Sequence, residues 1–274
     1  MFRFNMQRAM MHWLVMALGA GLCLAATAQT KASRSEVGGG TPNVMLWAGN
    51  SFFYYNNSMH SHFLSLVRAA DPKAAPRGVS LTISGSGMDW HDMASYFRPE
   101  GIGKYSFDAN NNIVFNKPGS KLYDAVIVAD CSQCPIHPQL KPVFHEQVKK
   151  QSAIIAANGA RPILFMTWAY KDKPEMTAQL AEQYTIAGNA NDALVIPAGL
   201  AFAKAIARRP DLEFYQLDKR HPTLIGTYLA AAVTYAAIYK RSSSGNSYHA
   251  GLDASLAAFL QGVADDTVRE YYAK

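Results

Sequence analysis

Short apolar runs alternate with longer amphipathic ones from Pro42 onward. Asn43 to Ala48 reads as a strand, and Met59 to Ala70 as a helix whose apolar face carries Phe63, Leu64, Leu66 and Val67. Val79 to Ser84 alternates as a strand and stops at Gly85. Tyr123 to Ala129 is continuous and rich in β-branched residues, the pattern of a strand covered on both faces. Lys141 to Asn158 is helical and closes at Gly159, and Ile163 to Trp168 is another buried strand. Glu175 to Gly188 and Leu200 to Arg209 read as helices, Glu213 to Leu217 as the last strand, and Thr223 to Tyr239 as an Ala-rich helix.

Strands that alternate with helices predict an α/β fold: a three-layer α/β/α sandwich around a parallel, doubly wound sheet. Ligands of such sheets sit outside the carboxyl ends of the strands. Ser51, Gly85, the Cys131–Cys134 loop and Asp218 each follow a predicted strand, so all four are expected on one rim. Two stretches interrupt the alternation. Lys104 to Asn116 predicts a β-hairpin turning at Asp108 to Asn112, and a Ser/Gly linker at Ser242 to Asn246 precedes a terminal helix, Leu252 to Tyr272. Thr223 to Tyr239 is apolar but too short to span a bilayer, and its Tyr, Thr and Ala content favours a buried helix.

The segment from Met1 to Ala28 reads as an export signal. Arg3 and Arg8 precede an apolar stretch, Trp13 to Ala26, and Ala26-Thr27-Ala28 forms an A-x-A cleavage site. An uncleaved anchor is the other reading of this segment. Cys23 follows Leu22 and so does not mark a lipoprotein signal. Residues 29–41, with Gly38 to Gly40, are expected to be a flexible leader, and residues 42–274 a single domain. Periplasmic or extracellular placement follows, with no stable membrane span after processing.

Removing the signal lowers the net charge from +6 to +4, and Lys and Arg stay scattered. Nucleic-acid binding wants a concentrated basic face, so no nucleic-acid partner is expected. Processing leaves two cysteines, Cys131 and Cys134, in a C-x-x-C run. In an exported protein that pair is a short-loop disulfide, a thiol–disulfide redox pair or two free thiols. His60, His62 and His91 have no supporting acidic or cysteine partner, so no metal and no other cofactor is expected.

The chemistry-bearing pattern lies in two pieces, one near each end of the predicted domain. Asp218-Lys219-Arg220-His221 sets a carboxylate three residues before an imidazole. The Asp can accept the Nδ1 proton of the His and leave Nε2 free as a base. Far upstream, a buried-strand pattern runs straight into Gly49-Asn50-Ser51, a candidate nucleophile. It is not a G-x-S-x-G elbow, because Phe53 holds the last position. The aromatics Phe52, Phe53, Tyr54, Tyr55 and Trp90 next to these blocks are either core or a substrate-facing wall.

In that order, Gly49-Asn50-Ser51-Phe52, Ile83-Ser84-Gly85 and Asp218-Lys219-Arg220-His221-Pro222 resemble the SGNH (GDSL-like) hydrolase superfamily, over about residues 43 to 241. The resemblance implies a flavodoxin-like SGNH fold and an exported carboxylic ester hydrolase acting through an acyl-enzyme. Ser51, His221 and Asp218 would be the catalytic triad, and Ser51, Gly85 and Gln133 the oxyanion hole. Gln133 falls where the family carries an asparagine, in Cys131-Ser132-Gln133-Cys134, which departs from Gly-x-Asn-Asp. A Cys131–Cys134 disulfide would hold that loop in shape. The expected substrate is a small-molecule or carbohydrate ester, an O-acetyl ester by preference. Acyl transfer to another alcohol, an inactive glycan-binding domain and a C-x-x-C oxidoreductase are the competing functions.

Overall fold

The computed structural model describes residues 30–101 and 104–273. The export signal read from Met1 to Ala28 lies outside them. Five strands, β1 (Val44–Gly49), β2 (Arg77–Thr82), β5 (Ala125–Val128), β6 (Arg161–Phe165) and β7 (Leu194–Ile196), form one parallel sheet in the order β2-β1-β5-β6-β7. Two further strands, β3 (Tyr105–Phe107) and β4 (Ile113–Phe115), pair separately as an antiparallel hairpin. The helices are α1 (Ser51–Tyr54), α2 (Met59–Ala70), α3 (Lys141–Ala157), α4 (Met176–Ala190), α5 (Ala198–Arg208), α6 (Leu224–Tyr239) and α7 (Ala254–Tyr271).

Alternation along the central strands builds three layers. Met45 and Trp47 of β1, Ala125 and Ile127 of β5, and Ile163 and Phe165 of β6 pack with residues of α2, α5, α6 and α7. Their neighbours Leu46, Ala48, Val126, Val128 and Leu164 face the other way, onto α3 and α4. A strand residue and its successor point to opposite faces, so continuous apolar runs fill two cores at once. The expected sandwich with a parallel, doubly wound sheet is what the chain forms.

The structure corrects the last strand. Glu213 to Leu217 joins no sheet: its β contact is a single bridge, Tyr215 to Pro222. The fifth strand is β7, a short run pairing Leu194, Val195 and Ile196 with Ile163, Leu164 and Phe165. So short a run, closed by Pro197, carries too little periodicity to stand out between two helices.

Of the segment 29–41, expected as a flexible leader, the described residues 30–41 have no regular structure and are tied to the domain. Ser33 N donates to Asn189 Oδ1 at 2.8 Å, Arg34 pairs through two nitrogens with Asp192, and Val37 is buried. At the hairpin, Asp108 Oδ1 accepts from the Asn110 and Asn112 N–H groups at 2.8 and 2.9 Å. Its base is held by Lys104, whose Nζ donates to Arg98 O at 2.7 Å and lies over the Tyr123 ring. Tyr123 lies just before β5, so the base of the hairpin is tied to the start of that strand. Among the described residues no helix is long and apolar enough to cross a membrane.

Candidate active site

β1 ends at Gly49, where only glycine fits: an added Cβ would lie 2.8 Å from the Phe53 ring. The chain then turns through Asn50, whose Oδ1 caps α1 by accepting from Phe52 N at 3.1 Å. The Asn50 amide also donates to Ser86 O at 2.9 Å and to Asp130 O at 3.2 Å. One buried side chain thus joins the loops that follow β1, β2 and β5. Ser51 opens α1 beside this junction and is 8% exposed.

His221 arrives from the other end of the chain. The segment before α6 forms a tight turn in which Lys219 has φ +64° and donates its N–H to Gln216 O. Asp218 Oδ1 accepts from the backbone N–H groups of Arg220 and His221 at 2.9 and 3.0 Å. Its Oδ2 lies 2.5 Å from His221 Nδ1. Partial burial pushes the Asp218 carboxyl up, but the His221 bond and the two N–H donors outweigh it and hold it down at about 2. Such a carboxylate stays ionised through the working pH range. The far ring nitrogen, His221 Nε2, is 2.7 Å from Ser51 Oγ. Two bonds from the segment after β6 fasten this loop: Trp168 Nε1 donates to Arg220 O at 2.9 Å, and Lys171 N to Lys219 O at 3.0 Å.

The structure therefore brings Ser51, His221 and Asp218 into one hydrogen-bonded line. Gly85 lies in the loop after β2 with φ +70°, a conformation that costs glycine nothing. Among the described residues, the Ser51 and Gly85 N–H groups donate to no protein acceptor. Gln133 is exposed, and its side-chain amide makes no hydrogen bond among the described residues. Its carbonyl accepts from Ile136 and His137 N–H at 3.0 and 2.9 Å, which shapes the loop. Cys131 and Cys134 are bonded to each other across it.

The aromatics left open by the sequence divide. Phe52 and Phe53 are core, whereas Tyr54 is 37% and Trp90 61% exposed beside the site loops. Tyr55 lies flat on the His221 ring, 4.3 Å between centroids and 9° between planes. Sequence reasoning missed the buried Asp130, whose Oδ1 accepts from Met88 N at 2.9 Å and Cys131 N at 2.8 Å. Burial pushes that carboxyl up to about 6, against the pull of both N–H groups. Among the described residues the grouping close enough to hold a metal is Asp130 with Cys131 and Cys134, and both sulfurs are already bonded. His62 and His91 are spoken for: His62 Nε2 donates to Asn56 O, and His91 Nε2 to Gly49 O at 3.1 Å.

No protein-family model matches the chain, and no curated protein matches it. Solved structures do. A protein assigned as an SGNH hydrolase, from Slackia heliotrinireducens, superposes with a TM-score of 0.53 at 20% identity, over 71% of this chain and 97% of that one. A DUF4886-family protein from Bacteroides uniformis gives 0.55 at 16% identity, over 84% and 96%. A protein assigned as a GDSL-like lipase, from Parabacteroides merdae, gives 0.51 at 11% identity, over 69% and 91%. The chain has the SGNH-hydrolase fold.

Proposed function

We propose that this protein is an exported serine ester hydrolase acting through Ser51, His221 and Asp218. One observation carries the reading: the 2.7 Å contact of His221 Nε2 with Ser51 Oγ, in a ring whose Nδ1 is held by Asp218 at 2.5 Å. Nδ1–H donates to the carboxylate, so Nε2 carries the lone pair and takes the serine proton as Oγ attacks the ester carbonyl. The resulting imidazolium returns that proton to the leaving alcohol. Water, activated by the same ring, then cleaves the acyl-enzyme.

Charge that develops on the carbonyl oxygen needs donors in place beforehand. The Ser51 and Gly85 N–H groups are assigned that task, with the Gln133 amide as a third donor from the disulfide-closed loop. Activity falls in acid, because a protonated His221 cannot accept the serine proton. The substrate class we assign is a small or carbohydrate O-acetyl ester. It is supported by the exposed Trp90 and Tyr54 beside the site loops, flat surfaces of the kind on which a sugar ring packs. Export to the periplasm or the medium fits the charged and apolar pattern from Met1 to Ala28.

The test is turnover of p-nitrophenyl acetate and of acetylated xylo-oligosaccharide by wild type and Ser51→Ala, with fluorophosphonate labelling in parallel. Wild type should turn over both esters and label at Ser51. Ser51→Ala should lose labelling and more than about 10³-fold in kcat. Equal rates in the two proteins would overturn the reading.

A further inference from the structure

Between Ser51 and α2 the chain passes through a strained turn that the proposed chemistry does not use. Asn56, Asn57 and Ser58 have φ of +52°, +64° and +67°, one after another and without a glycine. Ser58 combines that φ with ψ 126° and its side chain makes no capping bond to α2, although it occupies the cap position. Backbone of this kind persists only where the surroundings over-determine it. The surroundings here are specific. Asn56 Nδ2 donates to Pro222 O at 2.9 Å and to Thr227 Oγ1 at 2.8 Å. Its carbonyl accepts from His62 Nε2 at 2.7 Å, which leaves His62 Nδ1 to accept from the Tyr248 hydroxyl at 2.8 Å.

A single amide therefore fastens the segment that carries Ser51 to the residue directly after His221. The residue before the turn completes the arrangement. Tyr55 N donates to Ser51 O at 3.2 Å, and its ring is stacked on the His221 imidazole. Tyr54 is stacked against Tyr55 in turn, at 5.7 Å, and Phe52 meets the His221 ring edge-on at 5.8 Å.

We propose that Tyr55 and Asn56 are positioning residues for the Ser51–His221 pair: Asn56 sets the spacing between the two, and Tyr55 sets the plane of the imidazole and stabilises it once protonated. The inference rests on the ester-hydrolase reading for its effect on rate. In that reaction His221 becomes cationic when it takes the serine proton. An aromatic face attracts a cation more strongly than a neutral ring, so the Tyr55 contact strengthens as the transition state forms. Its loss therefore falls on kcat and spares KM. The charged groups around His221 are Asp218 on Nδ1, Lys219 and Arg220 on the same loop, and Asp172 at 3.6 and 3.8 Å from those two. On the α1 side the titratable neighbours are the Tyr54 and Tyr55 hydroxyls. Every charged group stays in place in the variants below.

Two substitutions separate positioning from folding. Asn56→Gly removes the amide while relieving the positive φ, so the melting temperature should hold. Displacing a reacting pair by even 1 Å is worth up to about 10²-fold, so kcat should fall roughly ten- to a hundredfold with KM within about twofold. Tyr55→Leu should lower kcat similarly and move the acid limb of the rate profile to lower pH, because the imidazolium loses its aromatic support. Tyr55→Phe, which keeps the stack, should restore both. The ring-current displacement of the His221 ring signals in NMR reads the stack without any substrate; it should be lost in Tyr55→Leu and kept in Tyr55→Phe. Wild-type kcat in Asn56→Gly and Tyr55→Leu, or unmoved His221 ring signals in Tyr55→Leu, would overturn the inference. An inactive wild type with moved ring signals would overturn the ester-hydrolase reading and leave the Tyr55 contact with His221 standing.

Discussion

Asp130 illustrates what a residue's number in the chain conceals. Its position one residue before Cys131 suggested nothing, yet its carboxyl is buried at the junction of three loops. With a folded-state value of about 6 against an ordinary 3.8, the native state holds a proton between those limits that the unfolded chain releases. The stabilisation this represents is therefore complete below about pH 4 and is lost as pH rises through 6. The shift corresponds to about 3 kcal/mol at most. Asp130→Asn, which cannot ionise, should gain stability over wild type as pH rises from 4 to 8. Urea midpoints of the two proteins at both pH values measure it; parallel pH dependences would sink the expectation. Asp218 behaves oppositely. Its depressed value favours folding above about pH 4, a contribution lost as pH falls toward 2, and its exposure to solvent keeps that contribution small.

Residues whose chemistry acts over short sequence distances were legible; those whose role needs a distant partner were not. Asp218 and His221 are three apart, and their spacing carried its meaning. Asn50 and Asn56 find their partners 36 to 171 residues away. The one local signal was Asn56-Asn57, since Asn tolerates positive φ better than other side chains, and that marks a turn without saying what it clamps.

At the scale of elements, patterning located the strands that are buried on both faces and the longer helices. It failed where an element is short or where extended chain finds no partner. β7 has three residues, and Glu213 to Leu217 has strand-like composition but turns back on itself at Tyr215 and Pro222. Close approach is also decided between elements. Gly199, the second residue of α5, sits against the segment after β6, where an added Cβ would lie 2.2 Å from Thr167 O and 3.3 Å from Trp168 Cα. Backbone on the facing side cannot yield by a rotamer change, so Gly199→Ala should destabilise by about 1–3 kcal/mol in chemical denaturation. Activity should fall with it, because Trp168 holds the His221 loop through Arg220 O. A variant of unchanged midpoint would show that α5 shifts freely.

For the molecule as a whole, the length of chain needed to build the site exceeds the chain that touches it. α6 is buried along nearly its entire length, and α7 covers one side of it with Leu260, Val263, Ala264 and Val268. Gln261 adds polar pinning, with Nε2 donating to Tyr228 O–H at 2.8 Å and to Asn246 O at 3.0 Å. A chain ending at Ser247 keeps Ser51, Asp218 and His221 but exposes the apolar side of α6. It should lose cooperative unfolding by circular dichroism and fail to label with a fluorophosphonate. A truncated protein that unfolds sharply and labels would refute the dependence.

The buried central strands and the longer helices in their order, two apolar faces per central strand, and the Gly-Asn-Ser and Asp-x-x-His blocks were readable from the chain itself, because periodicity and turn chemistry act over a few neighbouring residues. The bond between Ser51 and His221, the junction at Asn50, the stacking of Tyr55 and the raised Asp130 came only from tertiary structure. Each depends on how far apart the layers pack and how much water they exclude, quantities that no local stretch of sequence contains.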